Sequence, residues 1–261
     1  MMKNSFDLIS DLHVDTWDEQ FSWTNMPTSM FCVVAGDISR DRTQTINTLH
    51  QLGQIYKRVL YIDGNDEHRW SFDDLRTSYD SLKNQIANIE NVVYLRDTVA
   101  VIDGVAFIGV CGWWDFEFRD SLIRAKTIEW FCKQYKVTWE AAENIRRQCN
   151  ADSLYLNRAV EDLQTHKDID EIVIVSHSVP AVGLVEHDAQ LPDIKMNCLG
   201  SNKLLSCLVH DTECKISTWC FGHYHNDVDQ VHNGVRFVNN CKGRNNTEWS
   251  KSVYFPKKII L

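Results

Sequence analysis

Proline is scarce in this chain, at 4 residues in 261, and glycine is held to 11. Collagen-like, low-complexity and linker-rich architectures are thereby excluded, because each needs those residues in quantity. Long hydrophobic runs are absent as well. The most apolar region, 99–118, is broken by Asp103 and Gly104 and then meets Asp115 and Glu117, so it is no membrane span. The stretch Met1-Met2-Lys3-Asn4-Ser5-Phe6-Asp7 lacks the apolar core and cleavage site of a signal peptide, and a cytoplasmic protein without membrane association is expected. Concentrated positive charge is missing too. No run of Lys or Arg exceeds two, as at Arg146-Arg147 and Lys257-Lys258, and 27 basic residues face 36 acidic ones for a net charge of −9. Extended nucleic acid is disfavoured as a partner, since phosphate contacts dominate that affinity, whereas a small phosphorylated molecule is not. The nine cysteines are odd in number and include no C-x-x-C pair. Reduced, mostly buried thiols suit them better than a disulfide framework or thiolate zinc.

With 44% hydrophobic and 24% charged residues, the chain reads as one globular domain over 1–261. Short apolar runs rich in β-branched and aromatic residues recur at 6–10, 31–35, 59–62, 92–95, 99–102 and 105–111, each of strand length. Helical segments separate several of them. Asp41 with Gln44 forms a capping box opening a helix to about residue 56, and Ser71 with Asp74 opens another to about 88. This alternation predicts an α/β fold with sheets covered on their outer faces. The segment 119–167 has no strand-like run and reads as a helical insertion or cap. Leu122, Ile123, Ile128, Trp130, Phe131 and Tyr135 would line one helix. Trp139, Ala142 and Ile145 would line a second, and Leu154, Leu156, Val160 and Leu163 a third. Strand patterns resume at 171–175, 216–221, 235–238 and 253–255.

Five of these strands end in polar groups suited to metal. They are Ser10-Asp11-Leu12-His13, Gly36-Asp37, Asp63-Gly64-Asn65-Asp66-Glu67, Ser176-His177 and Gly222-His223-Tyr224-His225. Each alone is common, and Gly-Asp and Gly-Asn-Asp are ordinary turn sequences. Together they deliver seven oxygen and imidazole ligands to the carboxyl edge of an α/β sheet, where ligands collect. Asp11 with His13, and His223 with His225, alternate by two and would each face one side of an extended segment. Carboxylate, imidazole and one amide oxygen suit Mn, Fe, Zn or Ni, and seven ligands suit two ions sharing a carboxylate.

The ordered set Asp11-x-His13, Gly36-Asp37, Gly64-Asn65, His177 and Gly222-His223-x-His225 resembles the calcineurin-like metallophosphoesterases, from residue 6 to about 240 outside the insertion. The resemblance implies two packed β-sheets flanked by helices, a four-layer sandwich. It also implies two divalent metal ions, Mn foremost. Asp11, His13 and His225 would hold the first, Asn65, His177 and His223 the second, and Asp37 would bridge them. Phosphoric ester hydrolysis by a metal-bridging hydroxide is the implied activity. Two ions would take the formal charge from −9 to −5 and draw a phosphate ester into an acidic protein.

One position departs from the family, which reads Gly-Asn-His-Asp or Gly-Asn-His-Glu where this chain has Gly64-Asn65-Asp66-Glu67-His68. The missing histidine normally contacts the scissile phosphate. Asp66 beside two cations would stay ionised and is a poor replacement. His68 reaching back as general acid, a substrate whose leaving group needs no acid, and a weakened enzyme that mainly binds a phosphorylated ligand are the three open readings. His68, Asp66 and Arg40 are the candidate catalytic residues, Arg40 because guanidinium suits phosphate. Arg42 reads as a solvated loop or helix start, Trp113 and Trp114 as packing against the cap, and His187 as a surface residue. His50, His166, His210 and His232 carry no role. The expected substrate is small and soluble, such as a nucleotide, with a lean towards diesters or aryl esters. The rivals are a phospholigand-binding or regulatory module and, less favoured, a two-metal amidase or peptidase. Oligomeric state is not legible.

Overall fold

The computed structural model describes residues 5–18, 26–188, 191–245, 247, 250, 251 and 253–261, so the first four residues lie outside it. Its elements run β1 (Ser5–Ile9), β2 (Phe31–Ala35), α1 (Arg42–Ile55), β3 (Arg58–Ile62), α2 (Leu75–Ile86), β4 (Val92–Tyr94), β5 (Val99–Ile102) and β6 (Val105–Val110). They continue with α3 (Arg124–Tyr135), α4 (Trp139–Gln164), β7 (Glu171–Ser176), α5 (Asp193–Met196), β8 (Ile216–Phe221), β9 (Asp229–His232), β10 (Val235–Asn239) and β11 (Lys257–Ile260). One sheet has the order β11-β1-β2-β3-β4 and the other β5-β6-β7-β8-β10-β9. Within each, the central strands are parallel, β1 to β4 in the first and β6, β7, β8 and β10 in the second. This is the expected α/β architecture of two sheets flanked by helices.

The period of two along each strand explains how the layers are sorted. In β6, Val105 and Phe107 enter the core between the sheets, where Phe107 meets Phe6 of β1 edge-on at 5.6 Å. The intervening Ala106, Ile108 and Val110 face outward and pack with Leu156, Val160 and Leu163 of α4. Both faces of β6 are therefore buried, which is why its sequence is almost continuously apolar. A third cluster joins Phe72, Trp113, Trp114, Phe116 and Phe131 to Ala141, Ala142 and Ile145 at the start of α4. All nine cysteines are unpaired, and most are buried. Among the described residues no helix is long and apolar enough to cross a membrane.

Several local expectations are corrected. The two helices expected over 139–163 are one continuous 26-residue helix. Its inward stripe changes partner midway, from the aromatic cluster at Ile145 to the outer face of the second sheet at Leu156. The polar residues between are not a break, because buried Asp152 accepts from the backbone N–H of Gly112 at 2.8 Å. Leu122, Trp139 and Leu154, expected to line helices, are exposed. Helix α2 starts at Leu75, capped by Asp74 accepting from Thr77 N, rather than at Ser71. The capping box on α1 forms as expected, with Asp41 accepting from Gln44 N. The last strand is β11 and not 253–255, since Pro256 has no N–H for a ladder and pairing with β1 begins at Lys257. Polar β9 has no apolar signature, but Asn233-Gly234, both at positive φ, form the two-residue turn joining it to β10.

Phe131 makes ring contacts with Phe72, Trp114, Phe116 and Tyr135 and is fully buried, whereas Leu122 is 93% exposed. Urea denaturation should show Phe131→Ala losing about 3–5 kcal/mol of stability. Leu122→Ala should stay within about 0.5 kcal/mol of the parent. Equal effects would contradict this packing.

Candidate metal centre

The carboxyl ends of β1, β2, β3, β7 and β8 meet where the two sheets adjoin, and short backbone bonds knit them together. Asp11 N donates to Gly36 O at 2.9 Å, and Gly222 N donates to His177 O at 2.8 Å. The chain turns sharply at each end. Asp11 (φ 51°), His13 (φ 43°), Asp37 (φ 54°) and His223 (φ 65°) all adopt the left-handed region, which side chains other than glycine's rarely occupy. Asp11 with His13, and His223 with His225, are therefore brought together by left-handed turns and not by the extended alternation the spacing suggested. Close approach also dictates the glycines. A Cβ on Gly64 would fall on Asp37 Oδ1, and one on Gly222 would lie 2.5 Å from Asp11 Oδ2.

All seven expected ligand residues converge, in two groups. Asp11, His13 and His225 form one, with His225 Nε2 3.2 Å from Asp11 Oδ1 and 3.1 Å from His13 Nε2. Asp37, His177 and His223 form the other, and Asn65 Oδ1 joins it 3.1 Å from His177 Nε2. Asp37 stands between them, with Oδ1 3.3 Å from His177 Nε2 and Oδ2 3.9 Å from His13 Nε2.

Hydrogen bonds on the far side of each ring settle which nitrogen faces inward. His177 Nδ1 donates to Ala35 O at 2.9 Å, and His223 Nε2 donates to Cys198 O at 3.0 Å. His177 Nε2 and His223 Nδ1, 3.2 Å apart, are thus left with their lone pairs turned on each other. Asn65 Nδ2 donates to Asp66 Oδ1, which aims the amide oxygen at the same point. With both rings neutral, two imidazole lone pairs, an amide oxygen and the Asp37 carboxylate converge, a donor set that a cation would satisfy. The outer bonds are those that orient metal-binding imidazoles. Ionisation follows the same pattern. Burial opposes a charge on His177, but Asp37 and Asp11 outweigh it and push the ring up to about 10. Burial and the neighbouring His177 push His223 down to about 4. Burial also opposes ionisation of Asp11, yet His225, His177 and His13 hold it well below the usual carboxylate range.

Around this centre, Glu67 is a clamp. Its carboxyl accepts from Asp37 N, Ile38 N and Gly64 N at 3.1, 2.7 and 2.8 Å, tying the β2 and β3 ends together. Arg42 stands at the start of α1, one of the two expected alternatives, and donates to Glu67 O and Ser78 Oγ, so it holds the loop from behind. Asp66 and Arg40 both line a cavity of about 280 Å³ over the two groups. Asp66 Oδ2 lies 3.2 Å from His13 Nδ1, accepts from Arg40 Nε at 3.3 Å and pairs closely with Arg244. Burial works against its charge, but His13, Arg244 and Arg40 hold it well below the usual carboxylate range.

His68 is a correction. It does not line the cavity but lies fully buried behind it, with Nδ1 2.8 Å from Ser78 Oγ and Nε2 3.0 Å from Asp63 Oδ2. Burial, ahead of the opposing pull of Asp63, keeps its ring below the ordinary imidazole range. The 3₁₀ turn Asp66–His68 points successive side chains in different directions, so a residue two places on cannot substitute for the one at position 66. Sequence reasoning missed Arg244, Arg69 and Tyr135, which also line the cavity. Arg244 follows the end of β10, another parallel strand ending on the same edge, and that was its signal. Tyr135, at the end of α3, had none. Trp114 stacks on His223 at 5.3 Å and 16°, within the aromatic cluster as expected. His187 is exposed.

No family model matches the sequence, and no curated protein matches it significantly. Among solved structures, the chain is similar to the phosphopantetheinyl hydrolase of Mycobacterium tuberculosis, with a TM-score of 0.72 and 17% identity over 98% of this chain and 96% of that one. It is also similar to a candidate 5′-nucleotidase of Staphylococcus aureus, with a TM-score of 0.50 and 13% identity, spanning 98% of this chain but 54% of that one. At these identities the likeness is one of fold, the metallophosphoesterase-like sandwich.

Replacing His68 leaves the buried Asp63 carboxylate short of a partner. His68→Ala should therefore cost about 3 kcal/mol of stability, read as a shift of the urea midpoint. A midpoint unchanged from the parent would show that the ring does not anchor the β3 end.

Proposed function

We propose that the chain is a phosphoric ester hydrolase with a two-metal centre, acting on a small soluble phosphorylated substrate in the cytoplasm, and that 119–167 is a helical insertion within a single domain. The observation that carries this reading is the convergence of two groups of carboxylate and imidazole atoms on either side of Asp37. Its occurrence on a fold shared with two proteins described as phosphate-ester hydrolases adds support. Asp11, His13 and His225 would hold one ion, Asn65, His177 and His223 the other, and Asp37 would serve both. Divalent ions there, Mn foremost, supply Lewis acidity towards a phosphoryl oxygen and activation of water at neutral pH.

The chain's own residues do the remainder. Arg40 and Arg244, fixed by Asp66, present guanidinium donors to phosphoryl oxygens. Trp114 closes the outer side of His223 and excludes water from it. No histidine outside the ligand groups lines the cavity, so the leaving group finds no imidazole acid there. Tyr135 does not fill that role, because burial pushes its phenol up to about 12. With His68 turned away, esters whose leaving oxygen departs unprotonated are favoured, aryl esters and activated diesters first. The same feature favours the second reading, a phospholigand-binding protein that turns over slowly.

Parallel assays of the Mn-loaded protein on bis(p-nitrophenyl) phosphate and p-nitrophenyl phosphate test this. The diester should be hydrolysed faster, and Asp37→Asn should lose about a thousandfold or more of that rate. Turnover that survives Asp37→Asn would sink the two-metal reading. No turnover by a protein that binds two Mn ions would favour the binding role.

A further inference from the structure

The cavity carries more positive charge than one phosphate needs. Three guanidinium groups, from Arg40, Arg69 and Arg244, line it beside the two ligand groups. Only one acidic group outside those ligands lines it with them, Asp66, and that carboxylate is committed to Arg40 and Arg244. Arg244 Nη1 is buried without a hydrogen-bond partner, a donor left over after the pairing with Asp66. Arg69 differs from both. Its guanidinium lies over the Tyr135 ring, 3.9 Å from the centroid, and has no acidic or hydrogen-bonding partner among the described residues. Stacking occupies the flat face of a guanidinium and leaves its in-plane N–H fork open. It also fixes the side chain, so less freedom is lost when a ligand is bound.

We propose that Arg69, stacked on Tyr135, binds a second phosphoryl group of the substrate, so that the preferred substrate carries two phosphates rather than one. The inference rests on the phosphoester reading and adds a division of labour within the cavity. Arg40 and Arg244, half neutralised by Asp66, serve the phosphate at the ligand groups. Arg69, unneutralised and on the wall that α3 supplies, serves the other. A substrate without a second phosphoryl group leaves Arg69, partly exposed, to the solvent and gains nothing from it, so the preference comes from the added pair rather than from a penalty on monophosphates. Arg69 is thus specificity-determining, and the arrangement asks for a second phosphoryl group separated from the scissile one; a nucleoside phosphorylated at two hydroxyls probes that spacing by binding alone, whatever the leaving group of the hydrolysed ester.

Calorimetric titration of the Mn-loaded protein with adenosine 5′-monophosphate, adenosine 3′-monophosphate and adenosine 3′,5′-bisphosphate tests this without requiring turnover. The bisphosphate should bind about tenfold or more tighter than either monophosphate, the value of one charge-assisted pair. Arg69→Gln should abolish that advantage while changing monophosphate affinity by less than about threefold. Arg69→Lys should restore only part of it, because an ammonium lacks the planar fork. Arg76→Gln, in a separate cavity, should leave the advantage intact and so exclude a general effect of net charge. Equal affinity for mono- and bisphosphate in the parent overturns the proposal, as does an advantage that survives in Arg69→Gln. A bisphosphate preference in a protein without phosphoesterase turnover would leave this inference standing and remove the hydrolase reading, so the two fail separately.

Discussion

The structure depends on the placement of one carboxylate, Asp37, between two sets of lone pairs. The residue is held at three atoms, with Asp37 N donating to Glu67 Oε2, Asp37 O accepting from His13 N, and Asp37 Oδ1 accepting from Asp66 N. These bonds tie the β2 end to the ends of β1 and β3. The left-handed turn at Asp37 and the missing Cβ at Gly64 permit that approach. Without an ion, the nearest available cation is a proton, and the raised ionisation range of His177 shows where it goes. A metal ion bound as proposed would compete with that proton for one position, and its affinity would weaken as pH falls. The strain of four left-handed ligand residues is tolerable because the sheet core on either side over-determines the turns.

Asp66 changes the character of the site more than the loss of a histidine alone would suggest. A carboxylate there cannot serve as an acid, but it accepts from two arginines and faces His13 Nδ1. The last contact, at 3.2 Å, is an ion-pair distance rather than an aligned hydrogen bond, and it places the Asp66 charge beside the first candidate ligand group. On the proposed reading, a carboxylate at position 66 organises guanidinium groups instead of donating a proton, and activity would follow the charge that the substrate carries.

The convergence of the candidate ligands was legible from the sequence because strand ends impose a fixed order on a fixed edge. Asp11, His13, Asp37, Asn65, His177, His223 and His225 are each local to a recognisable strand, and the parallel topology alone brings them together. The reasons given for their pairing were less sound, since spacing by two implied extended segments where the chain turns left-handed. His68 was misread because nearness in sequence was taken for nearness in space, and within a 3₁₀ turn neighbouring side chains diverge. The continuous α4 was hidden for a different reason. Its stripe packs against two separate cores, so the polar stretch between them resembled a loop although Asp152 is buried and bonded there. β9 and Arg244 left signals, in the Asn233-Gly234 turn and the β10 end. Tyr135 left none, because its place at the cavity is decided by how α3 packs.

That packing links the helical segment to recognition. Phe131 anchors α3 in the aromatic cluster, and Tyr135, one turn on, stacks on Phe131 at 4.4 Å while its other face meets the Arg69 guanidinium. The same cluster contains Trp114, which backs His223. One set of rings therefore braces both a ligand imidazole and the wall carrying the unpaired cation. Burial pushes the Tyr135 phenol up to about 12, so the ring stays neutral at physiological pH. A phenolate there would pair with Arg69 and cancel the charge the cavity offers. A neutral ring instead holds the guanidinium by its face and leaves the charge available for an anion, which makes the stability of this hydrophobic cluster a condition of electrostatic recognition.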